Sequence, residues 1–308
     1  GCFKILCAAR KTKTPGDSMK LVRFGPAGEE RPGVWLENTP APGKTSLLDV
    51  RASAFDIEDY NELFFTRWGL KRLENLLKES GRKWIPAEGV RLGPPVARPE
   101  KIICLGKNYA DHAMEFDSDI PTTPIYFSKA PSALIGPFDP ILLPPDAKRV
   151  DGEVELAVVM GQTAKNVTEA AAMDHVAGFT ILNDITDRDA QRDSKQWFRG
   201  KGVDTFCPLG PFLVDRQEAG DCSEWALSSS INGARLQQGN TAQMIFKLPF
   251  IISHLSKTMT LRAGDIIATG TPAGIGSART PPVLLKPGDA ISTEIQGLGR
   301  QCNPVKTA

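Results

Sequence analysis

Two glutamates two positions apart, set at the start of an apolar run, constrain this chain more than any other feature: Asp151-Gly-Glu-Val-Glu-Leu-Ala-Val-Val-Met160. In a strand, residues two apart share a face and lie ~6.6 Å apart, at ~3.3 Å per residue. Glu153 and Glu155 then converge on one point while Val154, Leu156 and Val158 face the core. Carboxylates pressed together beside apolar surface repel each other and are costly to desolvate. A hard cation such as Mg2+ (or Mn2+) relieves both problems, because it takes oxygen ligands. Taken alone, the segment also reads as a solvated edge of alternating charge.

Two further segments add chemistry. His175-Val-Ala-Gly-Phe-Thr-Ile-Leu-Asn-Asp184 reads as a strand ending in an acid, followed by Ile185-Thr-Asp-Arg-Asp-Ala-Gln191, the opening of a helix. Asp184, Arg188 and Gln191 then line one face. An acid at the end of an apolar strand suits a third metal ligand, with Arg188 and Gln191 holding a substrate carboxylate or carbonyl. The alternative is a helical Asp–Arg pair worth only about 0.2–0.5 kcal/mol. In Gly106-Lys-Asn-Tyr-Ala-Asp-His-Ala-Met-Glu115, His112 and Glu115 are three apart on a short helix. A carboxylate on one imidazole nitrogen fixes the tautomer and raises the basicity of the other, as a proton shuttle or an activator of water requires; a surface pair is the plain alternative.

Lys201 stands between glycines in Arg199-Gly-Lys-Gly-Val, and Gly270-Thr-Pro-Ala-Gly-Ile-Gly276 offers backbone N–H groups and Thr271 to an anion. That loop has neither the Gly-Lys-Ser/Thr ending nor the Gly-x-Gly-x-x-Gly spacing of nucleotide sites. Six scattered cysteines without a Cys-x-x-Cys pair, and three histidines, leave a zinc site unsupported. Any metal must be held by carboxylates. A chain of 308 residues has core enough without disulfides, which favours a reducing compartment.

A formal net charge of +1 supplies no basic field for nucleic acid, and the longest apolar runs fall far short of the ~20 residues of a membrane span. The expectation is a soluble protein with a small-molecule partner. Residues 1–18 carry Lys4, Arg10, Lys11 and Lys13 and no acid before Asp17, and read either as an organelle leader or as a tail. Residues 19–97 form a small N-terminal α/β module, with strands near Leu21–Phe24 and Gly33–Leu36 and a helix from Asp59 to about Ser80. It ends at the proline-stiffened Gly93–Pro99. The remainder, 98–308, alternates short strands and turns, with a hairpin at Asn232-Gly233 and helical patterns at Val167–Met173, Thr186–Trp197 and Thr241–Thr258. This is an α+β, β-rich pattern.

Taken together, the segments resemble the fumarylacetoacetate hydrolase family over roughly residues 100–303. The motifs are Asn-Tyr-x-x-His-x-x-Glu, Glu-x-Glu-Leu-x-x-Val, Asp-x-x-x-Arg-Asp-x-Gln, Gly-Lys before Asp-x-Phe-x-Pro-Leu-Gly-Pro, and Gly-Thr-Pro-x-Gly-x-Gly, in the family's order. The resemblance implies a mixed β-sandwich roll and a homodimer. It makes Glu153, Glu155 and Asp184 the metal ligands, and His112 and Glu115 the acid–base dyad. Lys201 becomes the catalytic lysine, with Arg188, Gln191 and Thr271 orienting the substrate. Lys195-Gln-Trp and the Thr280-Pro-Pro-Val-Leu-Leu-Lys-Pro-Gly-Asp insertion resemble the family's domain-containing protein 2 subgroup, which is mitochondrial and associated with Mg-dependent oxaloacetate tautomerisation.

Relatives that hydrolyse acylpyruvates or decarboxylate oxaloacetate keep those reactions open, and a cytoplasmic location is the alternative. A catalytically silent metal-binding scaffold should lack the lysine or the dyad, and both are present. Gly202-Val203 after Lys201 departs from the Thr or Ser, then Phe, common in the family.

Overall fold

The computed structural model describes residues 19–38, 41–80, 82–115 and 119–308; the segment read as a leader or tail lies outside the described residues. The fold is the strand-rich α+β arrangement expected, built on one long sheet and a second, five-stranded one. Apolar runs buried on both faces make the centre of the long sheet. Val154–Met160 and Val176–Asn183 are buried throughout and pair antiparallel, with Val154 opposite Asn183 and Glu155 opposite Leu182. Cys207–Asp215 flanks them on one side and Ile266–Ala268 on the other, both antiparallel. Ile102–Gly106 then runs parallel to Ile266–Ala268, and Ile125–Lys129 closes that edge.

Strand direction gathers the candidate residues. The start of Val154–Met160, the end of Val176–Asn183, the ends of Ile266–Ala268 and Ile102–Gly106, and the start of Cys207–Asp215 all fall at one end of the sheet. Glu153, Asp184, Gly270, His112 and Lys201 each lie on or just beyond those ends. Functional groups at strand ends can meet without unpairing the ladders between them.

Residues 19–97 extend the same sheet: Lys20–Phe24 pairs antiparallel with Cys207–Asp215, followed outward by Arg31–Glu37, Thr45–Asp49 and Trp84–Pro86. The helix expected from Asp59 to Ser80 is two, Glu62–Thr66 and Gly69–Lys78. Trp68 between them has φ +61, and a Cβ on Gly69 would lie 2.2 Å from the Phe64 ring, so the chain turns there to bury Phe64. Leu73 and Leu76 are buried, whereas Leu63 is exposed.

The second sheet has the order Ala234–Asn240, Ala226–Ile231, Ala290–Ile295, Gly299–Thr307, Ile141–Leu143. Asn232 and Gly233, with φ +50 and +84, turn its first hairpin as expected. The pattern Thr241–Thr258 divides into a single 3-10 turn, Thr241–Gln243, and the helix Leu248–Thr258, with proline in the first turn where its missing N–H costs nothing. Thr186–Trp197 likewise holds only the helix Arg188–Asp193, preceded by the strand Thr186–Asp187. The helical pattern at Val167–Met173 gives Glu169–Ala172, capped by Thr168.

Candidate active site and metal centre

Glu153 precedes its strand by one residue and Glu155 lies within it, while Asp184 follows Asn183 at the antiparallel partner's end. One oxygen from each of the three carboxylates lies within 4.8 Å of the others, and all three residues are buried. The arrangement expected from spacing alone is therefore the one formed, with Asp184 added across the ladder. The Asp184 N–H donates to Glu153 O at 2.9 Å and the Glu153 N–H to Asn183 Oδ1 at 3.1 Å, which locks the two strand ends together.

Two buried lysines and a half-buried arginine answer these acids. The Lys201 ammonium donates to Glu153 Oε2 at 2.6 Å and Asp184 Oδ2 at 2.5 Å. Lys129 donates to Asp184 Oδ1 at 2.6 Å and to Ile185 O at 3.1 Å. Arg188 donates from Nε to Asp151 Oδ1 and from Nη2 to Glu153 Oε1, both at 2.7 Å, and from Nη1 to Gln191 Oε1 at 3.2 Å. Burial by itself would raise the Glu153 pKa, but Arg188 and Lys201 hold it well below the usual carboxylate range. Burial likewise disfavours the Lys201 charge, and Asp184 and Glu153 outweigh it, holding the ammonium above the ordinary lysine value. Glu155 goes the other way: burial, then the charges of Asp184 and Glu153, push it well above its ordinary value. Its carboxylate receives the Gly270 N–H at 2.9 Å.

The donor set passes a chemical test for a hard divalent cation. It is all oxygen, it is closely spaced, and burial followed by the charges of Asp184 and Glu153 pushes the pKa of Glu155 well up, a repulsion that a cation would relieve. Gly270 serves it through its backbone: with φ +90, and with a Cβ there only 2.8 Å from Asn108 Cβ, no other residue fits without strain.

His112 and Glu115 form the expected pair, Nδ1 to Oε2 at 3.0 Å, and the Gly274 N–H donates to Glu115 Oε1 at 2.7 Å. Their loop is fastened by Asn108, whose amide donates to Thr269 O at 2.8 Å and Phe246 O at 3.1 Å. The Thr271 hydroxyl donates to Val154 O at 2.9 Å and accepts from Gln237 Nε2 at 2.7 Å, so toward a ligand it offers only its remaining acceptor capacity.

These groups border a cleft of about 270 Å3 lined by His112, Glu153, Glu155, Arg188, Gln191 and Thr271, with Lys107, Phe127, Lys195 and Trp197 among its other walls. Lys201 sits behind the wall, 2 % exposed, its ammonium 4.9 Å from the Phe127 ring centroid. Lys129, Asp151 and Tyr109 were not legible as site residues. Lys129 is a single lysine ending the strand Ile125–Lys129, and a charge closing an apolar strand, as at Asp184, is the signal that would have found it. Tyr109 is fully buried, and its hydroxyl has no hydrogen-bond partner among the described residues. Burial, and then the charge of Glu155, push its pKa up.

A family model described as fumarylacetoacetate (FAA) hydrolase C-terminal matches residues 101–306. A protein of Bos taurus named as a mitochondrial oxaloacetate tautomerase is 48 % identical over 305 residues, covering 98 % of this chain and 96 % of its own. One of the same name from Rattus norvegicus is 41 % identical over 308 residues, covering 98 % and 96 %. Among solved structures, a fumarylacetoacetate hydrolase from Exiguobacterium antarcticum matches with a TM-score of 0.79 at 37 % identity, covering 94 % of this chain and 100 % of that one. A putative HpcE protein from Mycobacterium smegmatis matches with a TM-score of 0.83 at 32 % identity, with the same coverage.

Proposed function

The chain belongs to the fumarylacetoacetate hydrolase family and is an enzyme, and on that premise we propose that it interconverts the enol and keto forms of oxaloacetate with Mg2+ or Mn2+ held by Glu153, Glu155 and Asp184. The observation that carries the reading is the Lys201 ammonium bridging Glu153 and Asp184 at the back of an acid-lined cleft. The names of the Bos taurus and Rattus norvegicus relatives support the substrate and a mitochondrial location.

When bound, the cation supplies Lewis acidity that polarises a 2-oxo group. The rest belongs to side chains. Lys201, kept cationic by its two acids, stabilises negative charge on the enolate oxygen and exchanges a proton there. His112 exchanges the proton at C3, with Glu115 fixing its tautomer and Gly274 fixing Glu115. Arg188 has its fork spent on Asp151 and Glu153, so its part is to hold Glu153 in place. Gln191 accepts from Arg188 and turns its amide N–H groups to the substrate.

The intact His112–Glu115 dyad favours a second reading, hydrolysis of an acylpyruvate, in which the same imidazole activates water against a second carbonyl. Enol-oxaloacetate, keto-oxaloacetate and an acylpyruvate, each added separately with Mg2+ and followed spectrally, separate the readings. Tautomerisation much faster than cleavage is expected, and faster cleavage assigns the hydrolase.

We also propose a homodimer. Leu248, Ile251, Ile252 and Leu255 are buried within the subunit, but Phe246, Phe250 and His254 stack at 5.5 Å between successive centroids and remain half-buried.

A further inference from the structure

A 2-oxo diacid brings two carboxylates to a 2-oxo acid site, and beyond the cation held by Glu153, Glu155 and Asp184 the interior side chains of this one offer no unengaged cation to either. Lys129, Arg188 and Lys201 are each engaged by acids at 2.5–2.7 Å. A carboxylate remote from the 2-oxo group must find its counter-charge on the cleft wall. Arg192 lines the wall but pairs with Asp189 and Asp193, both at 3.1 Å. Lys195 also lines it and has no ion-pair partner among the described residues. Lys107 has none either, but it sits in the loop that Asn108 fastens beside His112, close to the reacting end.

The backbone around Lys195 is set for presentation. Lys195 has φ +56, a left-handed conformation uncommon for a lysine. The turn is stapled by Ser194, whose hydroxyl lies 2.7 Å from Ala190 O and 2.6 Å from Gln196 O. Two residues on, Trp197 is wedged over the chain: a Cβ on Gly106 would lie 2.6 Å from its ring, and it packs on Phe127 at 5.2 Å between centroids. The loop that carries Lys195 is thus fixed at both ends, by the helix Arg188–Asp193 and by a tryptophan forming the wall itself.

We propose that Lys195 is the specificity residue for the remote carboxylate, selecting 2-oxo dicarboxylates over 2-oxo monocarboxylates. The inference rests on the reading of the cleft as a 2-oxo acid site. Because Lys195 is exposed, its contribution is modest and screened by salt.

The test is calorimetric binding of oxaloacetate and of pyruvate to the Mg2+-loaded protein, for wild type, Lys195→Asn and Lys195→Arg. Asparagine tolerates the left-handed backbone without the charge, so folding is preserved. Lys195→Asn should weaken oxaloacetate about tenfold, a ΔΔG of about 1.4 kcal/mol, and shift pyruvate less than twofold. Lys195→Arg should restore the preference, and raising the salt should shrink it in wild type. Equal weakening of both acids, or no change in either, overturns the proposal, and so does a wild type that binds neither. A wild type that prefers oxaloacetate through Lys195 but does not tautomerise it sinks the reaction assigned above and leaves this inference standing.

Discussion

Lys129 Nζ lies 2.6 Å from Asp184 Oδ1, with both side chains wholly buried, on the opposite oxygen from the one that Lys201 holds. Asp184 is therefore clamped between two ammonium groups, and under the proposed mechanism Lys129 anchors it while Lys201, which also holds it, serves the chemistry. Breaking a buried pair by removing one partner strands a charge and typically costs about 3–5 kcal/mol. Lys129→Met should lower the stability of metal-free protein by about that amount in chemical denaturation, and Mg2+ should restore part of it. A loss under about 1 kcal/mol would show that Asp184 does not depend on Lys129.

Activity should vanish with a chelator and return with Mg2+ or Mn2+, because the candidate ligands are three carboxylates without thiol or imidazole. Full turnover by metal-free protein contradicts the mechanism.

Metal affinity should rise with pH. The Glu155 pKa is raised above the ordinary glutamate value of 4.5, so between that value and the raised one the folded, metal-free protein binds a proton that the unfolded chain has lost. Metal binding must expel it, and calorimetry in buffers of differing ionisation enthalpy should register proton release. By the same sign, the stability of the metal-free protein should fall as pH climbs through that window. Glu153 is depressed and acts oppositely: its contribution is present above about pH 4.5 and is lost as pH falls through its lowered folded value.

Lys201→Ala should cost on the order of 10²–10³ in turnover, as for loss of an oxyanion donor, while leaving metal affinity far less affected. Glu155→Ala should remove metal binding and activity together. Unchanged turnover in Lys201→Ala would end its assigned role.

His112→Ala separates the two reactions. Acylpyruvate cleavage should drop by about 10²–10⁴, because water activation depends on the imidazole. Tautomerisation should fall less, because Lys201 still handles the proton at the enolate oxygen and a water can replace the imidazole at C3. Equal losses would mean that both reactions share one base.

Light scattering at micromolar concentration should give twice the monomer mass of 33.4 kDa. Phe250→Glu, which puts a charge into the half-buried aromatic stack, should then shift the mass toward monomer.

The cluster of three acids was open to reading from the chain because it obeys local periodicity. Glu153 and Glu155 share a face whatever the rest of the protein does, Asp184 caps an apolar run, and His112 and Glu115 are one helical turn apart. Local rules also gave the Asn232-Gly233 turn, where φ sign alone decides the residues. They failed where burial competes with periodicity: the pattern from Asp59 to Ser80 reads as one helix, and Phe64 packing against Gly69 makes it two.

What tertiary structure alone decided is who answers the charges. Lys129 is 55 positions from Asp184 and Arg188 is 37 from Asp151, separations that no period connects. The tertiary fold brings those side chains into contact, and only there do desolvation and Coulomb attraction choose partners. The same fold spends Arg188 on Glu153 and the Thr271 proton on Val154, roles that their residue types do not announce. Residue type and spacing determine what a side chain is able to do; the sheet determines which neighbour it does it to, because at contact distance in a dry interior the nearest opposite charge outweighs every local preference.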